Sequence, residues 1–230
     1  VPAPAHGEVS VQNVYVSVDP YMRGRMTGVR TYVDPYQVGD VIDGAAVGRV
    51  VESRHEDLAE GDWVLSTLGW REEGVTGGDG VRKLDPELAP PSTALGVLGM
   101  PGLTSWVGLV DVGRVQEGET IYVSGAAGAV GSTAVQIAKL KGLRAIGSAG
   151  TPEKVEWLRS LGVEAFDYLE TRLKDALADG IDVFFDNVGG ELLEGALNGL
   201  RPFGRVIASG AISRYNDELP EPVARDLSRV

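Results

Sequence analysis

The chain has 230 residues, 43% of them hydrophobic, which is enough to bury a sizeable core in one or two domains. A formal net charge of −12 argues against a nucleic-acid partner, because phosphate backbones require a basic face. A chain without cysteine forms neither disulfides nor thiolate metal sites, which fits a cytoplasmic protein, and no apolar run approaches the roughly 20 residues that cross a bilayer.

The first 95 residues have the pattern of an all-β domain. Short apolar stretches at Val9–Val18, Val47–Glu52 and Asp62–Thr67 are separated by turns rich in glycine, proline and aspartate. His6 and His55 lie in polar, turn-rich surroundings, where we expect them to be exposed, and nothing in their spacing indicates a metal site. We therefore predict a β domain over residues 1–95, without a metal.

From residue 96 the chain alternates between strands and helices. Strands are predicted near residues 121–124, 143–148, 164–168, 181–186 and 204–209, and helices near 103–112, 130–141, 152–161, 169–178 and 190–200. This alternation predicts a parallel sheet with right-handed crossovers. Because a dinucleotide-binding sheet usually has about six strands, we expect a sequence clipped at both ends, with the last strand of the 96–230 domain missing.

The strongest motif is the glycine-rich turn Ser124-Gly-Ala-Ala-Gly128-Ala-Val-Gly131, which follows an apolar strand and opens a helix. Unpaired N–H groups and the helix dipole at such a position bind a pyrophosphate. Gly128 allows the backbone to approach the phosphates, and Gly131 allows tight packing of the helix on the strand. Ala126 replaces the first glycine of the usual G-x-G-x-x-G pattern. The prediction is a dinucleotide bound by Ala127, Gly128, Ala129 and Val130.

The end of the second strand favours NADP(H). An NAD site usually has an Asp or Glu about 20 residues after the start of the motif, and this carboxylate accepts a hydrogen bond from a hydroxyl of the adenosine ribose. The segment Ser148-Ala-Gly150-Thr-Pro-Glu-Lys154 stands there instead. A hydroxyl, a glycine turn and a lysine suit a 2′-phosphate, which needs donors and positive charge. A lysine taken singly is better explained as a solvated surface residue, but the position of Lys154 after this strand favours the phosphate role.

Five motifs occur in an order that resembles a known family. They are Val16-Ser-Val-Asp19-Pro-Tyr21-Met-Arg23-Gly-Arg-Met26, Leu98-Gly-Met100-Pro-Gly-Leu-Thr104, the glycine-rich turn, Phe185-Asp-Asn187-Val-Gly-Gly190 and Gly210-Ala-Ile-Ser-Arg-Tyr215-Asn216. Together they resemble the zinc-independent branch of the medium-chain dehydrogenases/reductases. Within it, they are similar to the prostaglandin reductase, leukotriene B4 dehydrogenase, alkenal double-bond reductase and curcumin reductase group, over essentially the whole chain.

The resemblance implies an α/β fold class: a Rossmann parallel sheet with helices on both faces, over residues 96–230, plus an N-terminal GroES-like β domain on the substrate side. It implies NADPH-dependent reduction of the carbon–carbon double bond of an α,β-unsaturated ketone or aldehyde. Hydride goes to the β-carbon, and the α-carbon of the enolate is protonated. The implied partners are a small lipophilic enone or alkenal and a second copy of the chain, as a homodimer.

The resemblance also implies roles for individual residues of this sequence. Tyr215 follows a strand at the carboxyl edge, where open α/β sheets bind ligands, and is the candidate donor to the substrate carbonyl, directly or through the ribose hydroxyl. Packing over the ribose is its alternative role. The other matches are Asn187, Gly210, Ala211 and Ile212 beside the nicotinamide and its ribose, Met100 and Thr104 against the nicotinamide ring, Tyr168 with Lys154 at the 2′-phosphate, and Tyr21 in the substrate pocket.

Several of these residues also have an ordinary structural explanation. Asn187 could cap the turn that follows it, Met100 could be core, and Arg23 and Arg25 could be structural ion-pair partners. Two departures from the family also occur: Gly150 is followed by Thr151 where many relatives have a second glycine, and the 162–180 stretch is slightly short, which bears on Tyr168.

Two functional alternatives remain open. One is an NADPH quinone oxidoreductase of the same superfamily, which the Asp19-Pro-Tyr-Met-Arg23 and Ala211-Ile-Ser-Arg-Tyr215 segments disfavour. The other is a non-catalytic NADPH-binding sensor or scaffold, which the presence of both Tyr21 and Tyr215 disfavours.

Overall fold

The computed structural model describes residues 1–28, 30 and 33–216. The chain divides into two compact units, Val1–Gly99 and Met100–Val230. In the described residues no helix is both long and apolar enough to span a membrane.

The first unit is built on an antiparallel sheet. Its elements are β1 (Glu8–Val16), α1 (Pro20–Arg25), β2 (Ala46–Ser53), β3 (Trp63–Ser66), β4 (Glu73–Gly77) and β5 (Val81–Leu84), and the strand order is β4-β1-β2-β3-β5. Alternate residues of the strands point inward, as the period of two requires. Val9, Val11, Val50 and Val64 of the strands form a small core together with Leu58 and Leu68 from the loops.

The sequence pattern missed three elements of this unit. Helix α1 begins where Asp19 has extended backbone and Pro20 takes the first helical position, where its missing N–H costs nothing. Strands β4 and β5 are short and are separated by a 3₁₀ turn at Gly78–Gly80, so neither gives a clear alternating pattern. His55 is half-buried rather than exposed, and its Nδ1 accepts a hydrogen bond from the Asp57 N–H at 3.1 Å.

One polar cluster joins α1 to the segment before β2. Arg25 Nη1 lies 2.5 Å from Asp43 Oδ1, and the Tyr36 hydroxyl donates to the same carboxylate at 2.5 Å. The guanidinium also lies over the Tyr36 ring, 3.9 Å from its centre. The hydrogen bonds from Arg25 and Tyr36 hold the pKa of Asp43 below its usual range, and burial together with Asp43 raises the pKa of Tyr36 to about 12. Arg25 is therefore an ion-pair partner within this unit.

The second unit is built on a parallel sheet. Its elements are α2 (Met100–Val107), β6 (Thr120–Val123), α3 (Ala129–Leu140), β7 (Arg144–Ala149), α4 (Pro152–Ser160), β8 (Glu164–Asp167), α5 (Leu173–Ala176), β9 (Ile181–Asp186), α6 (Gly190–Gly199) and β10 (Leu200–Ala208). The strand order is β10-β9-β6-β7-β8, and every pairing is parallel.

Helices cover both faces of this sheet. On one face α3 and α4 pack on Ile121, Val123, Val183 and Phe185, and on the other α5 and α6 pack on Tyr122, Ile146, Phe166, Ile181 and Phe184. Consecutive residues in the centres of β6 and β9 thus enter opposite cores, which explains why residues 121–123 and 183–185 are uninterrupted apolar runs. The predicted fold class, a parallel α/β sheet with helices on both faces plus an antiparallel β domain, is confirmed.

Some elements differ from the predicted ones. The helix predicted at 169–178 is reduced to the four residues Leu173–Ala176, because the preceding residues form turns in which the Leu169 N–H donates to the Asp167 carboxylate. Helix α2 begins at Met100 and continues as a π-helical turn at Gly108–Val112. Strand β10 begins at Leu200, and its register with β9 shifts before Arg205.

The amino edge of this sheet carries a belt of ion pairs. Arg144 pairs with Glu164 at 2.7 Å and with Asp179 at 3.1 Å. Further along, Arg201 lies 2.6 Å from Asp182, and Arg205 lies 2.6 Å from Glu119. The hydrogen bond from Arg144 lowers the pKa of Glu164, and its two acidic partners raise the pKa of Arg144. The Arg144–Glu164 and Arg201–Asp182 pairs join neighbouring strands, whereas the Arg144–Asp179 and Arg205–Glu119 pairs reach past one strand to a loop.

Candidate functional site

The carboxyl edge of the parallel sheet has a topological switch point. After β6 the chain adds β7 and β8 on one side, and it then crosses to β9 and β10 on the other. The loops that follow β6 and β9 therefore diverge and leave a crevice between them, and open α/β sheets bind their ligands in such a crevice.

The glycine-rich turn lies at this switch point. Gly125 has φ +58, a left-handed conformation that favours glycine. The buried Ala126 fits because Gly147 in the neighbouring strand lacks a side chain: a Cβ at Gly147 would lie 2.7 Å from the Ala126 methyl. A Cβ at Gly131 would overlap the Gly125 carbonyl oxygen and lie 2.8 Å from Ala126 Cα. The turn therefore has the tight geometry of the motif, with Gly125 rather than residue 126 in the strained conformation.

The first turn of α3 presents backbone donors. Gly128 is its N-cap residue, and no side chain in the described part of the chain caps the helix. Gly128 and Ala129 are exposed, Ala127 and Val130 are half-buried, and a Cβ at Gly128 would touch only the Gly125 oxygen, at 3.2 Å. Uncapped N–H groups at the positive end of a helix suit a phosphate. The residues present fit a pyrophosphate.

The segment after β7 brings three predicted residues together. Tyr168, which follows β8, packs on Gly150 so closely that a Cβ there would lie 2.8 Å from its hydroxyl. Thr151 caps α4 by accepting from the Lys154 N–H at 3.4 Å, which places the exposed Lys154 in the first helical turn. The neighbouring Glu153 is held ionised, since its own backbone N–H and the Thr151 hydroxyl lower its pKa.

Ser148 has a different environment from the one the sequence suggested. Its side chain is fully buried, and its hydroxyl lies 2.9 Å from the hydroxyl of the buried Tyr122. Burial raises the pKa of Tyr122, so the pair is a neutral hydrogen bond inside the core. The Ser148 carbonyl accepts from the Ala126 N–H at 2.9 Å, and this bond fixes the glycine-rich turn against β7.

Asn187 belongs to a hydrogen-bonded network across the switch point. Its N–H donates to Ser124 Oγ at 2.9 Å, and its Nδ2 donates to the Ser124 carbonyl at 2.8 Å. Ser124 Oγ in turn donates to Asp186 Oδ1 at 2.8 Å. The same Asp186 oxygen accepts from the N–H groups of Val188, at 3.0 Å, and Gly189, at 2.9 Å. Both Ser124 and Asp186 are buried, and sequence reasoning assigned neither of them a role.

The loop after β10 folds over the loop after β9. The N–H groups of Ser209 and Gly210 donate to the Asp186 carbonyl, at 2.9 and 3.0 Å, and the Ile212 N–H donates to the Asn187 carbonyl at 3.3 Å. Gly189 and Gly190 have φ values of +72 and +58, and side chains on them would press on Ala211 and Ser213.

Tyr215 bends back onto this loop. Its hydroxyl accepts from the Ala211 N–H at 3.3 Å and lies beside Gly210. No other hydrogen bond of this hydroxyl occurs within residues 1–28, 30 and 33–216, and the side chain is 37% exposed. The O–H proton thus has no acceptor there, so the phenol can donate to a ligand.

Met100 and Thr104 lie one turn apart on α2. Thr104 lines an apolar groove of about 430 Å³ together with Phe185, Ile207, Ala208 and Ser209, which lie at the carboxyl ends of β9 and β10. Met100 is half exposed. The buried Ser105 hydroxyl lies 2.8 Å from the Pro101 carbonyl and 2.9 Å from the Val130 carbonyl, and so links α2 to the start of α3. No sequence signal pointed to Ser105.

Tyr21, the predicted substrate contact, lies in α1 of the first unit. Its hydroxyl approaches Gly44, where an added Cβ would lie 3.6 Å from it, 3.2 Å from the Ser17 hydroxyl and 2.5 Å from Met22 Cε. No cluster of three or more histidine, cysteine, aspartate and glutamate side chains that could hold a metal occurs in the described parts of the two units.

Comparison with known proteins gives matches along the chain. A family model described as the N-terminal domain of oxidoreductase matches residues 1–84, and one described as zinc-binding dehydrogenase matches residues 129–227. NADPH-dependent curcumin reductase of Escherichia coli is 44% identical over 228 residues, which cover 96% of this chain and 66% of that protein. Prostaglandin reductase 1 of Mus musculus is 44% identical over 226 residues, 94% of this chain and 67% of that protein.

Solved structures agree with these matches. The crystal structure of CurA in complex with NADPH from Vibrio vulnificus superposes with a TM-score of 0.88 at 40% identity, covering 98% of this chain and 69% of that one. The chain thus spans about two thirds of the length of the curated relatives it matches. Identity at this level over nearly the whole chain, on the same fold, means that the chain belongs to the medium-chain dehydrogenase/reductase family, in the group of the curcumin and prostaglandin reductases.

Proposed function

We propose that the protein carrying this chain is an NADPH-dependent oxidoreductase that reduces the carbon–carbon double bond of α,β-unsaturated ketones or aldehydes. The observation that carries the proposal is the uncapped first turn of α3 at the switch point, with the Tyr215 hydroxyl on another loop of the same edge. The 44% identity to proteins named curcumin reductase and prostaglandin reductase 1 supports the choice of reaction.

Two groups of residues would hold the cofactor. The N–H groups of Ala129 and Val130, with the open backbone at Gly128 and Ala127, would bind the pyrophosphate. Lys154 would neutralise the 2′-phosphate, and Tyr168, packed on Gly150, would flank it. Ser148 contributes through the turn that its carbonyl anchors, because its hydroxyl is already bonded to Tyr122.

The nicotinamide half would meet the loops that follow β9 and β10. Asn187, Gly210, Ala211 and Ile212 are joined there by the hydrogen bonds from loop to loop, and Met100 and Thr104 come from α2. A preorganised set of loops of this kind loses little entropy when the ligand binds.

When bound, NADPH supplies the hydride that reduces the substrate. As the β-carbon receives it, negative charge develops on the substrate carbonyl oxygen, and Tyr215 would donate its hydroxyl proton in a hydrogen bond to that oxygen. The α-carbon of the resulting enolate is then protonated. Tyr21 is the proposed contact of the β domain with the substrate.

An NADPH-oxidation screen tests this function. The intact protein is assayed with alkenals, cyclic enones, 15-keto prostanoid-like ketones and quinones, with NADH as the control for cofactor choice. Turnover of enones with NADPH and little with NADH supports the proposal. Turnover of quinones alone would favour the quinone oxidoreductase alternative, and tight NADPH binding without any oxidation would favour a sensor or scaffold.

The replacement Tyr215→Phe tests the donor role. Loss of a hydrogen bond to developing negative charge is expected to lower kcat by roughly 10²-fold, while KM for NADPH changes little. Ser213→Ala is the matched control, since it removes a hydrogen bond to the Val188 carbonyl in the same loop, 2.6 Å long, and leaves the phenol intact. If kcat of the phenylalanine variant is normal and only KM for NADPH rises, Tyr215 packs on the ribose and is not the donor.

The homodimer and the cytoplasmic location remain predictions from the sequence and the family resemblance. Sedimentation of the intact protein measures its oligomeric state directly. Fractionation of the cells that produce it measures its location.

A further inference from the structure

A buried carboxylate organises the carboxyl edge of the parallel sheet. Asp186 is 3% exposed and stands at the end of β9, after five residues of which four are fully buried and apolar. Its Oδ1 accepts three hydrogen bonds, from Ser124 Oγ at 2.8 Å, Val188 N at 3.0 Å and Gly189 N at 2.9 Å. Its carbonyl accepts two more, from the loop after β10. One residue therefore ties together the loops that follow β6, β9 and β10.

Ser124 connects Asp186 to Asn187 through hydrogen bonds. Because its hydroxyl proton is given to Asp186, its oxygen is left as the acceptor for the Asn187 N–H. Its carbonyl can only accept, so the Asn187 amide must turn Nδ2 towards it, as the 2.8 Å contact records. The Asn187 Oδ1 then makes no hydrogen bond within the described residues, and this atom can accept one from a ligand hydroxyl.

We propose that Asp186 and Ser124 are positioning residues that fix Asn187 as a hydrogen-bond acceptor for a hydroxyl of the nicotinamide-side ribose. The inference rests on the proposed function, since it presupposes a dinucleotide at this edge. Hydrogen bonds to a carboxylate are stronger than those between neutral groups, and a buried network of this kind rigidifies what it holds. The pair would therefore act on the nicotinamide half of the ligand and not on the adenosine half.

The same strand supplies a matched control. Asp182 lies near the opposite end of β9, where its Oδ2 accepts from the Thr120 N–H at 2.8 Å and pairs with Arg201 at 2.6 Å. Like Asp186, it ties a neighbouring segment to β9 through a carboxylate, but it stands at the amino edge, away from the loops of the proposed site. The Asp182→Ala variant therefore measures how much stability is lost when such a carboxylate is removed, without disturbing Asn187.

The test compares Ser124→Ala, Asp186→Ala and Asp182→Ala in the intact protein. Dissociation constants are measured for NADPH and for adenosine 2′,5′-bisphosphate, which carries only the adenosine half, together with kcat and the melting temperature. Ser124→Ala and Asp186→Ala are each expected to weaken NADPH binding about tenfold, with adenosine 2′,5′-bisphosphate binding within about twofold of wild type. The double variant should bind NADPH no worse than the weaker single one, because both changes break one network. Asp182→Ala should lower the melting temperature and leave both dissociation constants unchanged.

The outcomes separate this inference from the function on which it rests. If the wild-type protein binds neither NADPH nor the bisphosphate, the proposed function fails. If it binds both, and the Ser124 and Asp186 variants lose both ligands equally or neither, the function stands and the positioning role is refuted. Should Asp186→Ala fail to fold, Ser124→Ala decides the test, because it removes a single hydroxyl. Asp186→Asn, which keeps the acceptor Oδ1, should then bind NADPH more tightly than Ser124→Ala does.

Discussion

A methyl group added at Gly131 would collide with the backbone of Gly125 and Ala126. It would overlap the Gly125 carbonyl oxygen, and it would lie 2.8 Å from Ala126 Cα and 2.9 Å from the Gly125 carbonyl carbon. Ordinary contacts between such atoms are about 3.5–4 Å. These atoms belong to the turn that begins α3, so the clash is relieved only if the helix moves away from β6.

Two opposing contributions set the size of the effect. Overpacking of this kind costs about 1–3 kcal/mol, and alanine gains up to about 1 kcal/mol over glycine inside a helix. A net loss of about 1–2 kcal/mol is expected for Gly131→Ala, which lowers the melting temperature of a unit of this size by roughly 3–8 °C. Since the moving helix also carries the proposed phosphate donors, NADPH affinity should fall as well.

Gly128→Ala is the matched control in the same turn. At φ −79 any residue is accommodated, and the added Cβ would touch only the Gly125 oxygen, at 3.2 Å. Its free energy of unfolding should change by less than about 1 kcal/mol. NADPH affinity should still fall, because the methyl would stand on the exposed start of the helix.

Thermal denaturation and NADPH titration of the two variants provide the assay. The expected pattern is a lower melting temperature for Gly131→Ala only, with weaker NADPH binding in both. If Gly131→Ala melts at or above the wild-type temperature, the argument from close helix packing is refuted. If Gly128→Ala binds NADPH normally, the phosphates do not lie against this turn.

Two further predictions concern stability. Ser148→Ala leaves the buried Tyr122 hydroxyl without a partner and should cost about 1–3 kcal/mol in thermal or urea denaturation, with NADPH affinity unchanged; weaker binding would instead indicate a direct contact of the Ser148 hydroxyl. The lowered pKa of Asp43 stabilises the fold above the ordinary carboxyl pKa, and that contribution is lost as the pH falls through the folded-state value. Arg25→Met should therefore lower the melting temperature most at neutral pH and least at an acidic pH at which Asp43 is protonated in the folded protein, and a difference that stays constant with pH would contradict this ion-pair account.

The centre of the parallel sheet was readable from the sequence because residues 121–123 and 183–185 are uninterrupted apolar runs between helical patterns. That pattern follows from burial on both faces, as at Val183 and Phe184, which enter opposite cores. When a strand is buried on both faces, however, its sequence does not show to which face a given side chain points. Ser148 stood where a phosphate contact was expected, but β7 is buried on both sides, and its hydroxyl faces Tyr122.

Contacts between distant segments could not be predicted from one sequence. Ser124 and Asp186 are 62 residues apart and meet only because β6 and β9 are neighbours across the switch point. An acid directly after the apolar run at residues 183–185 was the available signal for Asp186. Likewise, the pattern placed the missing glycine at Ala126, whereas the backbone places the left-handed residue at Gly125 and makes room for Ala126 at Gly147.

The belt of arginine–carboxylate pairs has a consequence for protein engineering. Strand β9 is six residues long, about 17 Å from end to end, with Asp182 near its start and Asp186 at its end. Charged residues intended to make the protein more heat-resistant can thus be added beside Arg144, Arg201 or Arg205, keeping their ion pairs, with little risk to ligand selectivity. Variant libraries that seek new substrates can in turn change residues at the carboxyl edge of the sheet without breaking these ion pairs.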